Sequence, residues 1–178
     1  MNTFFMTLLV GVSLSMDAFS LSLAYGTQGL NNKNKLILSI IVGLYHFFMP
    51  LLGLTAGGII TRYLVIDINL LVSIIFLIIG IEMIYSGIKK KEEKVLVSIP
   101  GFLLFGLTVS IDSFTTGIGL KAINDNYLQV ASIFAGTSFL FTYIGLKLGN
   151  KISDLLGYVA PIIGGVVLVI LAINYYSV

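Results

Sequence analysis

The chain has 178 residues, 57% hydrophobic and 10% charged, and its mean hydropathy of +1.05 lies far outside the range of a soluble domain. A formal charge of +2 leaves no electrostatic footprint for nucleic acid, and the absence of cysteine excludes disulfides, thiolate metal sites and thiol catalysis. The composition is that of a chain whose solvent is the lipid bilayer.

Crossing roughly 30 Å of hydrocarbon takes about 20 mostly apolar residues, and six stretches qualify. The first, about 3–25, has neither a basic leader nor a cleavage site and is followed by five more spans, so it reads as a retained helix rather than a signal peptide. It contains SLSMDAFSLSLAYG (13–26), with Asp17 at mid-span. The second, about 36–60, holds the single histidine, His46, and Pro50 one turn later. Pro50 has no N–H, so the His46 carbonyl loses its helical partner and a kink is expected there. The third, about 68–88, places Glu82 near its end and runs into KKKEEK (89–94). The fourth, about 99–120, contains TVSIDSFTTGIGLK (108–121), with Asp112 at mid-span. The fifth, about 127–148, leads into Gly145-x-x-x-Gly149, an echo of Gly53-x-x-x-Gly57 in the second. The sixth, about 157–176, ends in NYY (174–176), which suits an interfacial anchor.

Lys33, Lys35, Lys89, Lys90, Lys91, Lys94, Lys147 and Lys151 fall in or beside the loops after spans one, three and five, against Arg62 and Lys121 on the other side. The positive-inside rule therefore puts both termini outside, and KKKEEK reads as a short cytoplasmic loop.

A shift of 95 positions superposes Gly11, Ser15, Asp17 and Phe19 on Gly106, Ser110, Asp112 and Phe114. Ser13, Asp17, Ser20 and Ala24 form one helical stripe that recurs as Thr108, Asp112, Thr115 and Gly119. Each half has three spans, and an odd number inverts the second copy, as in alternating-access transporters with a midplane site. The expected fold is all-α and polytopic, six transmembrane helices in two inverted three-helix repeats. Repeat one covers about 1–88 and repeat two about 99–178, joined by a loop at about 89–98 within a single membrane domain.

An ionised aspartate at the bilayer centre costs at least about 2.5–3.5 kcal/mol, so it faces the bundle and takes a partner, a proton or an ion. Two repeat-equivalent carboxylates, Asp17 and Asp112, among hydroxyls and carbonyls make an oxygen-rich site for a hard or borderline divalent cation such as Mn²⁺ or Mg²⁺. Ser13, Ser20, Thr108, Thr115 and His46 are candidate supporting groups, and Glu82 is a candidate proton relay toward the cytoplasm. Met16 could add sulfur from one half only, since its repeat partner is Ile111.

At SMDAF, MPLLG (49–53), SIDSF and GGVVL (164–168) the sequence resembles the MntP manganese efflux pump family, small bacterial membrane proteins of the LysE superfamily, and the resemblance covers essentially the whole chain. It implies Mn²⁺ export across the plasma membrane, with the intramembrane aspartates mapping onto Asp17 and Asp112. The family pattern often has Gln or Glu at position 46, a basic residue at 82 and Glu at 86, whereas this chain has His46, Glu82 and Ser86. The acid has moved one helical turn. The partners implied are a divalent metal ion, protons and lipid. Manganese(II) is cargo, no cofactor is expected, and a homo-oligomer is not indicated.

No phosphate loop of the G-x-x-x-x-G-K-[ST] type is present, so proton antiport is the expected drive. One alternative is a LysE-like exporter of an amino acid or small organic cation, which needs a roomier cavity and a cationic group near the midplane. Another is a non-transporting membrane protein of the sporulation-linked branch that shares the repeated aspartate. An intramembrane aspartyl protease is disfavoured, because neither aspartate follows Gly-x-Gly.

Overall fold

A computed structural model describes residues 3–63, 68–89, 98–120, 126–156 and 159–176. These form α1 (Thr3–Gly26), α2 (Asn32–Tyr63), α3 (Ile68–Lys89), α4 (Ile99–Leu120), α5 (Tyr127–Leu156) and α6 (Val159–Tyr176). Five helices are long and apolar enough to cross a membrane, and the apolar stretch of α6, Val159–Asn174, is shorter. The chain is an all-α polytopic membrane protein, and its outward faces carry Phe48, Leu52, Ile78, Leu104, Leu140 and Ile170. Lys90, Lys91, Lys94 and Lys121 lie outside the described residues.

Helix starts are set by polar caps. Asn31 Oδ1 accepts from the Asn34 N–H at 2.8 Å, which starts α2 four residues before its apolar stretch. Ser98 Oγ and Asn126 Oδ1 do the same for α4 and α5, accepting from Gly101 and Gln129 at 3.2 Å. Gly29, with φ of 67°, makes the left-handed turn between α1 and α2. α2 runs on through Pro50.

Consecutive helices within each half barely touch. The packing is between halves: α1 on α5, α2 on α4, α3 on α6, and α2 on α5. Along the α1–α5 crossing, Gly11 meets Phe134 and Thr137, while Gly145 meets Phe19 and Ser22, so the two helices run parallel. Along α2–α4, Gly106 meets Ile41 and Tyr45, while Gly53 meets Phe114 and Gly117, so these also run parallel. Residues 27–31 are too short a connection for α1 and α2 to cross in the same direction. α4, parallel to α2, is therefore antiparallel to α1, and the second half is inverted.

The two crossings are the same contact made twice. Gly145 lies on the Phe19 carbonyl as Gly53 lies on that of Phe114, and Gly149 lies on the Leu23 carbonyl as Gly57 lies on that of Ile118. Small residues let the backbones meet where no driving force from water exists. On the pseudo-two-fold axis α3 and α6 cross antiparallel. A Cβ on Gly80 would stand 2.8 Å from the Gly165 carbonyl, and one on Gly165 would stand 2.5 Å from that of Gly80. Gly80 also meets Val169 as Gly165 meets Ile84, so these positions are repeat partners.

Candidate cation site

Asp17 on α1 and Asp112 on α4, both half-buried, line one cavity of about 190 Å³. Leu21 completes the α1 side, Thr108 and Ile111 the α4 side, and Glu82, Met83 and Ser86 come from the last two turns of α3. The cavity therefore extends from the aspartate pair toward the end of the bundle where α3 finishes at Lys89. Asp17 and Asp112 stand at repeat-equivalent positions, so the inverted halves that cross at glycine also bring the two acids to a common space.

The hydroxyls of the stripe separate into two groups. Thr108 lines the cavity, and its Oγ1 donates to the Leu104 carbonyl at 2.9 Å. Ser13, its repeat partner, is buried at 1% exposure, donates to the Leu9 carbonyl at 2.8 Å, and lies where α6 presses on α1. Thr115 donates to the Ile111 carbonyl at 3.4 Å, and neither it nor the half-buried Ser20 is among the cavity-lining residues. Such bonds back to the preceding turn occupy the hydroxyl proton and leave the oxygen able to accept or to ligate.

His46 is buried between helices, away from the lining of this cavity. Its Nδ1–H donates to the Val42 carbonyl at 3.0 Å, and Nε2 has no hydrogen-bond partner. Glu82 is exposed and lines the cavity, while the nearby Lys89 stacks its ammonium over Tyr85, 4.7 Å from the ring centre. Position 86 lines the same cavity, so moving the acid one turn along α3 keeps it there. Leu21 and Met83 were not singled out by sequence, their only signal being helical spacing from Asp17 and Glu82, and Ser86 was noted only as a departure from the family pattern.

Among the described residues no three of His, Asp and Glu stand close enough to hold one ion together. A hard dication could take the two aspartates and complete its shell with hydroxyl oxygens and water. At roughly 30 Å³ per water, the cavity suits an ion carrying part of its hydration. It falls below the about 300–1,000 Å³ usual for organic ligands.

The family model described as "Putative manganese efflux pump" matches residues 29–175. The chain belongs to the MntP family. A relative of that name in Methanocorpusculum labreanum is 35% identical over 172 residues, covering 95% of this chain and 93% of the relative. One in Wolinella succinogenes is 33% identical over 165 residues, 91% of each chain, and one in Bacillus pumilus is 28% identical over 167 residues, 93% of this chain and 91% of its own. No solved structure matches the chain. MntP relatives are thus named as pumps for a metal ion rather than as enzymes; the relatives align over 91–95% of the chain, whereas the family model begins at residue 29 and takes in Asp112 but not Asp17.

Proposed function

We propose that the protein exports divalent cations, manganese(II) foremost, from the cytoplasm across the plasma membrane in exchange for protons. The observation that carries this reading is the pair of repeat-equivalent carboxylates, Asp17 and Asp112, lining one small cavity in a chain of the MntP family. Two ionised aspartates neutralise one dication, so the loaded site crosses the low-dielectric core without net charge. The choice of manganese comes from the names of the relatives, because this oxygen donor set also accepts neighbouring divalent ions.

Moving a dication outward against an inside-negative potential costs about 4.6 kcal/mol per 100 mV, twice the charge cost of about 2.3. Protons returning to Asp17 and Asp112 after release would supply that energy, with Glu82 passing them toward the cytoplasm. Thr108 and Ser86 offer hydroxyl oxygens to the ion on its way in. The orientation rests on the lysine-rich ends, with both termini outside. Against an organic substrate stand the size of the cavity and the absence of Lys or Arg from its lining among the described residues.

The test is cellular metal content and manganese tolerance in an exporter-deficient bacterium producing the wild type, Asp17→Asn or Asp112→Asn at matched membrane levels. Wild type is expected to lower cell manganese and restore growth, and each variant to lose that protection. Variants that protect as well as wild type would make the aspartates structural. A wild type that leaves manganese unchanged would remove the cargo assignment.

A further inference from the structure

We propose that the cation site has a second face, open to the opposite side of the membrane and built from the repeat partners of the residues that line the present cavity. This rests on the transport reading for its purpose but on packing for its evidence. The fold is symmetric in its glycine crossings and asymmetric around the aspartates. α6 lies close on α1, where Gly164 meets the Ser13 carbonyl, Met16 and the Met83 methyl. The equivalent pair, α3 and α4, is the looser of the two, and the cavity opens there.

The exchange of Gly80 with Gly165, and of Ile84 with Val169, fixes the register of α3 on α6. Glu82 then corresponds to Val167, Met83 to Leu168, and Ser86 to Leu171. On the first helices, Leu21 corresponds to Thr116, Thr108 to Ser13, and Ile111 to Met16. Three of these pairs differ in exposure: Ser13, Thr116 and Leu171 are buried at 1%, 0% and 5%, where Thr108 is exposed and Leu21 and Ser86 are half-buried, while Met83 and Leu168 are buried alike. Thr116 Oγ1 is buried without a hydrogen-bond partner, a polar atom whose satisfaction lies in another arrangement. Gly164 itself corresponds to Ile79. A glycine lets α6 seat on α1, and the matching position on α3 carries the branched Ile79 and so offers no equal gap for α4.

Exchanging the two arrangements closes α3 on α4, lifts α6 from α1, and leaves Asp17 and Asp112 in common. The chemistry of the two faces then differs in a way that suits release. The face toward Lys89 carries Glu82, Ser86 and Thr108. The opposite face replaces Glu82 and Ser86 with Val167 and Leu171, keeps hydroxyls in Ser13 and Thr116, and adds the weak thioether of Met16. Glu82 adds a negative charge to the lining of the first face without joining the aspartates around one ion, and Val167 adds none to the second, so a dication is attracted more weakly there.

The chain contains no cysteine, so single-cysteine variants report accessibility without background. Thr108→Cys and Ser86→Cys probe the present face; Thr116→Cys and Leu171→Cys probe the other. Each is treated with a membrane-impermeant maleimide in right-side-out and in inside-out vesicles, with labelling after denaturation as the measure of total thiol. The two pairs are expected to react from opposite sides, the second pair more slowly. Adding Gly164→Ala, whose Cβ would stand 2.5 Å from the Ser13 carbonyl, should speed labelling of the second pair several-fold and slow that of the first. Reaction of both pairs from one side, or no reaction of Thr116→Cys and Leu171→Cys while Thr108→Cys reacts, overturns the second face. The readout needs no manganese, so loss of the cargo assignment leaves it intact. Opposite sidedness likewise holds whichever way the termini point.

Discussion

His46 illustrates what repeat symmetry does to a single position. Ser15 Oγ and Ser138 Oγ lie 3.1 Å apart where α1 crosses α5. At the matching crossing of α2 with α4 the corresponding residues are Ser110 and His46, which bond their own helices, as Ser15 also does to the Gly11 carbonyl, Ser110 to the Leu107 carbonyl and His46 to that of Val42, both at 3.0 Å. The imidazole therefore stands where the other half has a serine, and its buried Nε2 is the larger departure. His46→Gln is expected to preserve manganese tolerance within about threefold, less than about 1 kcal/mol, when growth at raised manganese is scored beside wild type. A loss as complete as that of Asp17→Asn would put His46 in the path of the ion or the proton. From the sequence, His46 could be named as a candidate but not located, because an isolated polar residue in a span carries no sign of which neighbour it faces. Asp17 and Asp112 were legible because an aspartate stands at the same place in both copies of the stripe. The hydroxyls beside them were only half legible: the stripe predicts that Ser13 and Thr108 share a role, and it contains nothing to say that one copy is sealed while the other is open.

Among the helices, the glycine pairs matter more than their spacing suggested. Gly-x-x-x-Gly is common in membrane proteins and weak evidence alone, yet both instances here lie directly on carbonyls of the helices that carry the aspartates. A side chain at Gly149 would meet the Leu23 carbonyl and the Gly26 backbone, and one at Gly53 would meet the Phe114 carbonyl. Backbone cannot rotate aside as a side chain can. Gly149→Val and Gly53→Val should each destabilise the bundle by at least the roughly 1–3 kcal/mol of ordinary overpacking. The expected reading is a lower midpoint of thermal aggregation in detergent, with Gly136→Val as the control, since a Cβ there meets nothing within 4 Å. Helix boundaries were legible to within a few residues from hydropathy. The early start of α2 and the late end of α5 were not, because caps and amphipathic ends extend helices past the apolar stretch. The α3–α6 pairing was also hidden, since the third spans have diverged until only the glycine exchange betrays their register.

For the molecule as a whole, the proposed exchange for protons is the part of the reading most open to measurement. With the purified protein in liposomes loaded with a manganese-sensitive dye, an imposed pH gradient should drive manganese toward the more acidic side, and a protonophore that collapses the gradient should abolish net movement. Transport indifferent to the gradient would remove antiport and leave the carboxylate site untouched. Membrane class, the number of helices and inversion were readable from composition and the repeat, because lipid imposes length and closure on every backbone segment, while α6 has a shorter apolar stretch than the sixth span expected from hydropathy. The interlocking of the halves was not, and it bears on how the protein is made. α1, α2 and α3 emerge first from the ribosome, and the helices they pack against belong to the second half. At about 5–20 residues per second, the rest of the chain takes roughly 5–20 s to follow. During that interval Asp17 is already in the membrane while the crossings that enclose it do not yet exist, so synthesis of this small membrane protein passes through a stage in which its first half depends on the insertion machinery for shelter.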